Sequence, residues 1–167
     1  MRRWYKKETY FQKVAMLRER LPAASLSTDI IVGFPGETDE EFEMTIEAVR
    51  NIRFDLIYSF KYSPRPGTRA ADFPGHLSES AKSERLKILL ETQGKIVREK
   101  FQALVGTDQE VLIEGNHHRK ENAVSGRTRG NHPVVIKNTT KKAGDFMSVL
   151  ITKANQNSLE AVPSSAI

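Results

Sequence analysis

The sequence predicts an α/β segment followed by a small all-β antiparallel barrel. Three observations predict it. Helix-period and strand-like runs alternate up to about Leu104, in the order helix, strand, helix, strand, helix. The first strand-like run, Ile30-Ile31-Val32, is continuously apolar, as in a parallel sheet covered on both faces. After Gly106 the helical period disappears, and short β-prone runs are punctuated by Gly115, Gly130-Asn131 and Gly144-Asp145.

The first helix is expected over Glu8–Arg20, with Tyr10, Val14, Leu17 and Leu21 at helical spacing and Pro22 as the stop. Ser25–Val32 reads as a strand. Thr38-Asp39-Glu40-Glu41 has the spacing of a capping box, in which the Thr38 hydroxyl and the Glu41 carboxylate each accept the other residue's free backbone N–H. The helix it opens carries Phe42, Ile46 and Val49 on one stripe and ends near Ile52. Leu56–Tyr62 is the second strand, and Ser63–Gly75, with three prolines and two glycines, is a loop. A long helix follows from about Ser80 to Leu104, with Leu86, Leu89, Leu90, Gln93, Val97, Phe101 and Leu104 as its stripe. Strands joined through helices pair in parallel with right-handed crossovers. Two strands cannot close such a sheet, so this part is expected to be a portion of something larger.

In the second part, Glu110–Glu114, Ala123–Arg127, Val134–Lys137 and Met147–Thr152 are the expected strands. Ser158-Leu159 is a candidate for one more, in a polar tail expected to fray from Asn155 onward. The expected division places residues 1–103 in the α/β part and 104–167 in the barrel.

Composition narrows the function classes. No run approaches the ~18–20 apolar residues of a membrane helix, and no apolar stretch of signal-peptide type follows the N-terminal cations. The protein is therefore expected to be soluble and cytoplasmic. It has no cysteine, which excludes disulfides and thiolate-ligated zinc or iron–sulfur clusters held by this chain alone. The four histidines lack metal-site spacing, and neither a serine nucleophile elbow nor an isolated catalytic carboxylate pair is present.

The net charge of +5 is unevenly spread. Arg119, Lys120, Arg127, Arg129, Lys137, Lys141 and Lys142 fall in one stretch against a single acid, Glu121. Met1–Arg20 holds seven more basic residues against two acids. Two such zones suit a polyanion and equally suit a solvated surface.

Two loops at the carboxyl ends of the predicted strands are where ligands bind in parallel α/β sheets. Gly33-Phe34-Pro35-Gly36-Glu37 joins strand to helix: its glycines permit close backbone approach, the helix N-terminus offers N–H donors, and Glu37 offers a carboxylate. No lysine follows the second glycine, so it is not a Walker loop. Tyr62–Ala71 holds Arg65 and Arg69 about a stiff Pro-Arg-Pro-Gly turn. Each loop also reads as an ordinary tight connection.

The blocks MRRWY, STDIIVGFPGETDEEFEMTI, FDLIYSFKYSPRPGTRAA and LVGTDQEVLIEG…SGRT, in this order and spacing, resemble the C-terminal part of the radical S-adenosylmethionine methylthiotransferases. The nearest branch places a methylthio group at C2 of N6-isopentenyladenosine-37 in tRNA. Sister branches act on threonylcarbamoyladenosine or on a ribosomal protein. The resemblance implies that residues 1–103 are the C-terminal portion of a radical-SAM (β/α) barrel and that 104–167 form a TRAM RNA-binding barrel. It implies S-adenosylmethionine and two [4Fe-4S] clusters as cofactors, one cluster generating a 5′-deoxyadenosyl radical and the other supplying sulfur. The cofactor-side residues would be Asp29, Ile31, Val32, Gly33, Gly36, Glu37, Tyr62 and Ser63. The tRNA would meet Arg65 and, in the barrel, Arg119, Lys120, Arg127, Arg129, Lys137, Lys141 and Lys142. The family's cluster-ligating cysteines lie upstream of any matching position, so the chain is expected to be a C-terminal fragment that is inactive alone and contributes no metal ligand or catalytic residue. The rival class is a non-enzymatic RNA-binding module.

Overall fold

A computed structural model describes residues 5–118 and 120–164. Arg119 and most of the first resemblance block, MRRWY, lie outside the described residues. The chain divides into two compact units, 1–96 and 97–167, and α3 (Glu79–Leu104) contributes residues to both.

In the first unit, α1 (Lys7–Arg20) precedes β1 (Ser27–Val32), α2 (Asp39–Ile52) and β2 (Leu56–Lys61). The strands pair in parallel, from Ser27 opposite Leu56 to Val32 opposite Lys61. The capping box forms: Thr38 Oγ1 accepts the Glu41 N–H at 3.2 Å, and Glu41 Oε2 accepts the Thr38 N–H at 3.1 Å. Phe42, Ile46, Val49 and Ile52 face one side of α2 and pack with Val32, Phe54, Leu89 and Ile96. Burying each such side chain stabilises the fold by about 1.5–3 kcal/mol. Gln93, on the same face of α3, donates to the Phe54 carbonyl at 2.9 Å.

Four expectations change here. The strand expected to be covered on both faces is covered on one: Val32 is buried, while Asp29 and Ile31 point to the open side. Continuous apolarity reports what a strand can tolerate, and within this unit the helices pack on a single face. Leu90 is exposed, because the buried face of α3 runs through Lys82, Arg85, Leu89, Gln93 and Ile96 and leaves Leu90 about 100° away. Leu21 caps α1 and is exposed, and Phe11 packs in its stead. The loop after β2 contains a short 3₁₀ turn at Arg69–Asp72.

In the second unit, β3 (Asp108–Asn116), β4 (Ala123–Thr128), β5 (Pro133–Lys137), β6 (Phe146–Ala154) and β7 (Leu159–Pro163) close a barrel in the order β3-β4-β5-β7-β6, with β6 returning to β3. Val111, Ile113, Val124, Val134, Ile136, Val149, Ile151, Leu159 and Ala161 fill it, joined by Phe101 from the end of α3. Gly126 is required for the close approach of β4 to β3, since a Cβ there would lie 2.5 Å from the Leu112 carbonyl oxygen.

Two further expectations are corrected. The barrel is not wholly antiparallel: β5 and β7 run parallel, Val134 opposite Leu159 and Ile136 opposite Ala161. The candidate strand at Ser158-Leu159 forms, and over the described residues 155–164 the tail returns as β7, whose Leu159 and Ala161 are buried, where fraying was expected. Closing the barrel satisfies the edges of β5 and β6, which outweighs the local polarity of residues 155–158.

Candidate functional site

At the end of β1 the chain turns through Gly33 (φ +72°) and Gly36 (φ +80°), both in the left-handed region that favours glycine. A Cβ on Gly33 would also sit 2.6 Å from Cγ of Lys82. The Gly36 N–H donates to the Gly75 carbonyl at 2.9 Å, stitching the turn to the loop that follows β2. Glu37 folds back into the turn. Its Oε2 accepts the Gly33 N–H at 2.6 Å and an Nη1–H of Arg85 at 2.5 Å, while Arg85 Nη2 donates to Asp39 at 2.7 Å. The Arg85 and Glu37 side chains are only 10% and 13% exposed. Burial works against the charge on Arg85, but hydrogen bonds to Asp39 and Glu37, together with their charges, outweigh it and hold the guanidinium more firmly protonated than usual.

Tyr62 joins this assembly from the other strand end. Its ring meets Phe34 edge-on at 5.2 Å, lies 5.9 Å from the His76 ring and has the Lys82 Nζ 5.8 Å from its centroid. Its hydroxyl is buried without a hydrogen-bond partner among the described residues. Lys82 and Arg85 thus organise both strand ends, and sequence reasoning misses them. The available signal is positional, since they extend the Leu89–Gln93–Ile96 face of α3 toward its N-terminus.

The residues expected on the cofactor side therefore separate. Asp29 and Ile31 lie on the open face of the sheet, while Val32, Gly33 and Tyr62 are buried. Gly36 and Ser63 are exposed, and Glu37 is engaged internally. Across the register, Asp29 stands opposite Tyr58 and Ile31 opposite Phe60. Tyr58 and Phe60, each 53% exposed, complete the open face and are not among the residues expected from sequence. The strand alternation in Leu56–Lys61 is their signal. Beside the turn, a cleft of about 680 Å³ is lined by Tyr10, Phe11, Ile30, Phe34, Met44 and Ala48, among others. An apolar face carrying one carboxylate fits an adenosyl group. No iron–sulfur cluster fits this chain, which has no cysteine and, among the described residues, no group of three His, Asp or Glu able to hold a metal.

The expected RNA-facing cations also separate. Arg65 is exposed in the loop after β2, where its carbonyl accepts the Thr68 hydroxyl at 2.7 Å. In the barrel, Arg127 Nε donates to Glu114 at 3.1 Å and Arg129 Nε to Glu110 at 2.7 Å, both acids lying on neighbouring β3. Lys120 and Lys137 share Glu160, at 2.8 and 3.8 Å. The hydrogen bond from Lys120 leads in holding the Glu160 carboxyl below the usual carboxylate range. Burial opposes it, and the Lys120 charge, a hydrogen bond from Asn155 and the Lys137 charge assist. Lys141 and Lys142 are exposed and form no ion pair among the described residues. Four of the six described cations of the basic stretch are thus paired across strands, which a count along the chain does not reveal. Between the β3–β4 and β5–β6 loops runs a polar groove of about 780 Å³, with Lys120, Lys141 and Lys142 in its lining.

Residues 102–163 match the TRAM domain. Over 92% of its length the chain is 45% identical to the tRNA-2-methylthio-N(6)-dimethylallyladenosine synthase of Moorella thermoacetica. Proteins of the same name from Thermodesulfovibrio yellowstonii and Aquifex aeolicus are 46% and 40% identical over 96% of it. The chain spans about 35% of the length of these curated relatives. The resemblance carried by the sequence blocks therefore holds along nearly the whole chain and across both units. No described helix is long and apolar enough to cross a membrane.

Proposed function

We propose that the chain is the C-terminal portion of a cytoplasmic tRNA methylthiotransferase that modifies C2 of N6-isopentenyladenosine-37 in tRNA. The observation that carries this reading is the 40–46% identity to synthases of that product, continuous through both units. The first unit is then the last part of a radical-SAM (β/α) barrel, its open sheet face turned toward the barrel interior. The parallel β1–β2 pair, with helices on one face only, supports this. The second unit, with α3 handing over near residues 103–104, is the RNA-binding module.

S-adenosylmethionine supplies the radical chemistry when bound. In this reading Asp29 and Ile31, with Tyr58 and Phe60 beside them, would receive its adenosyl end. Val32, Gly33, Gly36 and Glu37 act as the frame: Arg85 holds Glu37, Glu37 holds the Gly33 N–H, and the turn keeps its shape without help from a ligand. Ser63, exposed just past the end of β2, borders the same face, while Tyr62, packed against Phe34 and Lys82, belongs to the frame. The two [4Fe-4S] clusters of the resemblance would be held by residues of the longer protein outside this chain.

A chimera tests the reading. The corresponding segment of the Aquifex enzyme is replaced by this chain, and tRNA from cells lacking the modification is analysed by mass spectrometry. Formation of 2-methylthio-N6-isopentenyladenosine is expected, whereas the isolated chain, reconstituted anaerobically with iron and sulfide, should bind no cluster and release no 5′-deoxyadenosine. A folded chimera that holds its clusters and binds tRNA yet leaves the adenosine unmodified would overturn the assignment in favour of an RNA-binding module.

A further inference from the structure

We propose that the groove between the β3–β4 and β5–β6 loops is the track for an RNA sugar–phosphate backbone, with Phe146 beside it as a platform for one base. The proposal rests on the RNA-binding reading of the barrel and assigns that binding to one face. Charge selects the face. Arg127 and Arg129 are each committed to a glutamate on β3, so engaging a phosphate there means giving up an existing pair. Lys141 and Lys142, by contrast, form no ion pair among the described residues and line a groove with His117, Asn116 and Thr140, together with Lys120, which is itself paired with Glu160. Among its described lining residues the one acid is Glu121, near the end of the β3–β4 loop. Ammonium groups beside amide and hydroxyl donors match phosphate and ribose oxygens.

The lysines are also held in place. The Ile113 N–H donates to the Asp145 carbonyl and the Gly144 N–H to the Ile113 carbonyl, both at 2.9 Å, which docks the turn on β3 where its pairing with β4 shifts register. Asp145 Oδ2 accepts the Lys142 N–H at 2.9 Å, and Thr139 Oγ1 accepts the Lys141 N–H at 3.2 Å. The backbone bearing both cations is therefore fixed before any ligand arrives, which lowers the ordering cost of binding. Phe146 follows this turn directly. It is 61% exposed and stands opposite the exposed Leu112. An aromatic ring exposed on the outer barrel face, reached within four residues of Lys142 along the chain, can stack an unpaired base.

The test uses the 167-residue chain and a fluorescent RNA hairpin with an unpaired loop, titrated over a range of salt. Lys141→Ala/Lys142→Ala should flatten the log–log salt slope by about 1.4–1.8, two contacts at roughly 0.7–0.9 each. Phe146→Ala should weaken binding about tenfold while leaving the slope unchanged, because stacking is not ionic. Arg127→Ala/Arg129→Ala should leave the slope nearly intact. All three variants change exposed or half-exposed side chains, and matching thermal melts confirm that the barrel remains folded. If the arginine pair carries the slope and the lysine pair does not, this groove is not the track, although the barrel still binds RNA. If the unaltered chain shows no salt-dependent affinity for the hairpin, the RNA-binding reading fails, and this proposal with it.

Discussion

Gly33 shows how much one missing methyl group can decide. Its left-handed φ and the Lys82 stem 2.6 Å from a would-be Cβ are independent obstacles to any side chain. Gly67 has a similar φ of +78° but open space around it, so it isolates the backbone contribution. Gly67→Ala should cost about 1–2 kcal/mol, the usual left-handed penalty for a side chain. Gly33→Ala should cost roughly 1–3 kcal/mol more, because Lys82 is buried and bonded through its ammonium to Glu79, leaving its stem little freedom to yield. Urea unfolding of the two variants, followed through the helical signal, measures the difference. Equal losses would mean that the Lys82 stem moves aside at no cost.

At the scale of elements, β7 is the strand that makes the barrel a barrel. It is short, it joins β5 in parallel and β6 antiparallel, and its Glu160 gathers Lys120 and Lys137. The Glu160 carboxyl is depressed below its ordinary value of 4.5 in the folded state. Its contribution to stability is therefore present above the carboxylate range and is lost as pH falls through the depressed folded value. Glu160→Gln should lower the melting temperature of the barrel at neutral pH and make it fall less steeply as pH drops below the ordinary carboxylate value of 4.5. Parallel slopes for the parent and the variant would show that the Lys120 and Lys137 pairs contribute nothing to the native state. Because Glu160 is mostly covered, raising the salt concentration should erase only part of the difference.

For the whole molecule, the governing feature is a two-stranded sheet with one face and two edges uncovered among the described residues of its unit. Tyr58, Phe60, Leu56 and Ile31 are exposed apolar side chains on this sheet, next to unpaired backbone groups that invite pairing with another chain. The isolated chain should self-associate at micromolar concentration. Tyr58→Lys/Phe60→Lys should shift it toward monomer in multi-angle light scattering without lowering the melting temperature of the barrel. A parent chain that stays monomeric across that range would mean that the open face is tolerated in water.

Features that depend on neighbours along the chain are legible in the amino-acid sequence by itself. The capping box at Thr38, the Phe42–Ile46–Val49 stripe, the parallel strand–helix–strand order and the switch to short strands after Gly106 all follow from spacing, because their partners lie within one turn or one alternation. The blocks around Gly33 and Tyr62 carry the resemblance to the methylthiotransferases, and the cysteine-free composition leaves the chain without thiolate ligands for a cluster. Tertiary structure decides the rest. Spacing leaves Glu37 free for a ligand, but Arg85, forty-eight positions away, claims it. Counting along the chain makes the basic stretch a charged zone, but Glu110, Glu114 and Glu160 reach it from other strands. Local polarity makes the tail a frayed end, but the open edges of β5 and β6 recruit it. In each case the deciding energy is a pairing between residues far apart in the chain, and local propensity contains no information about which distant group will arrive.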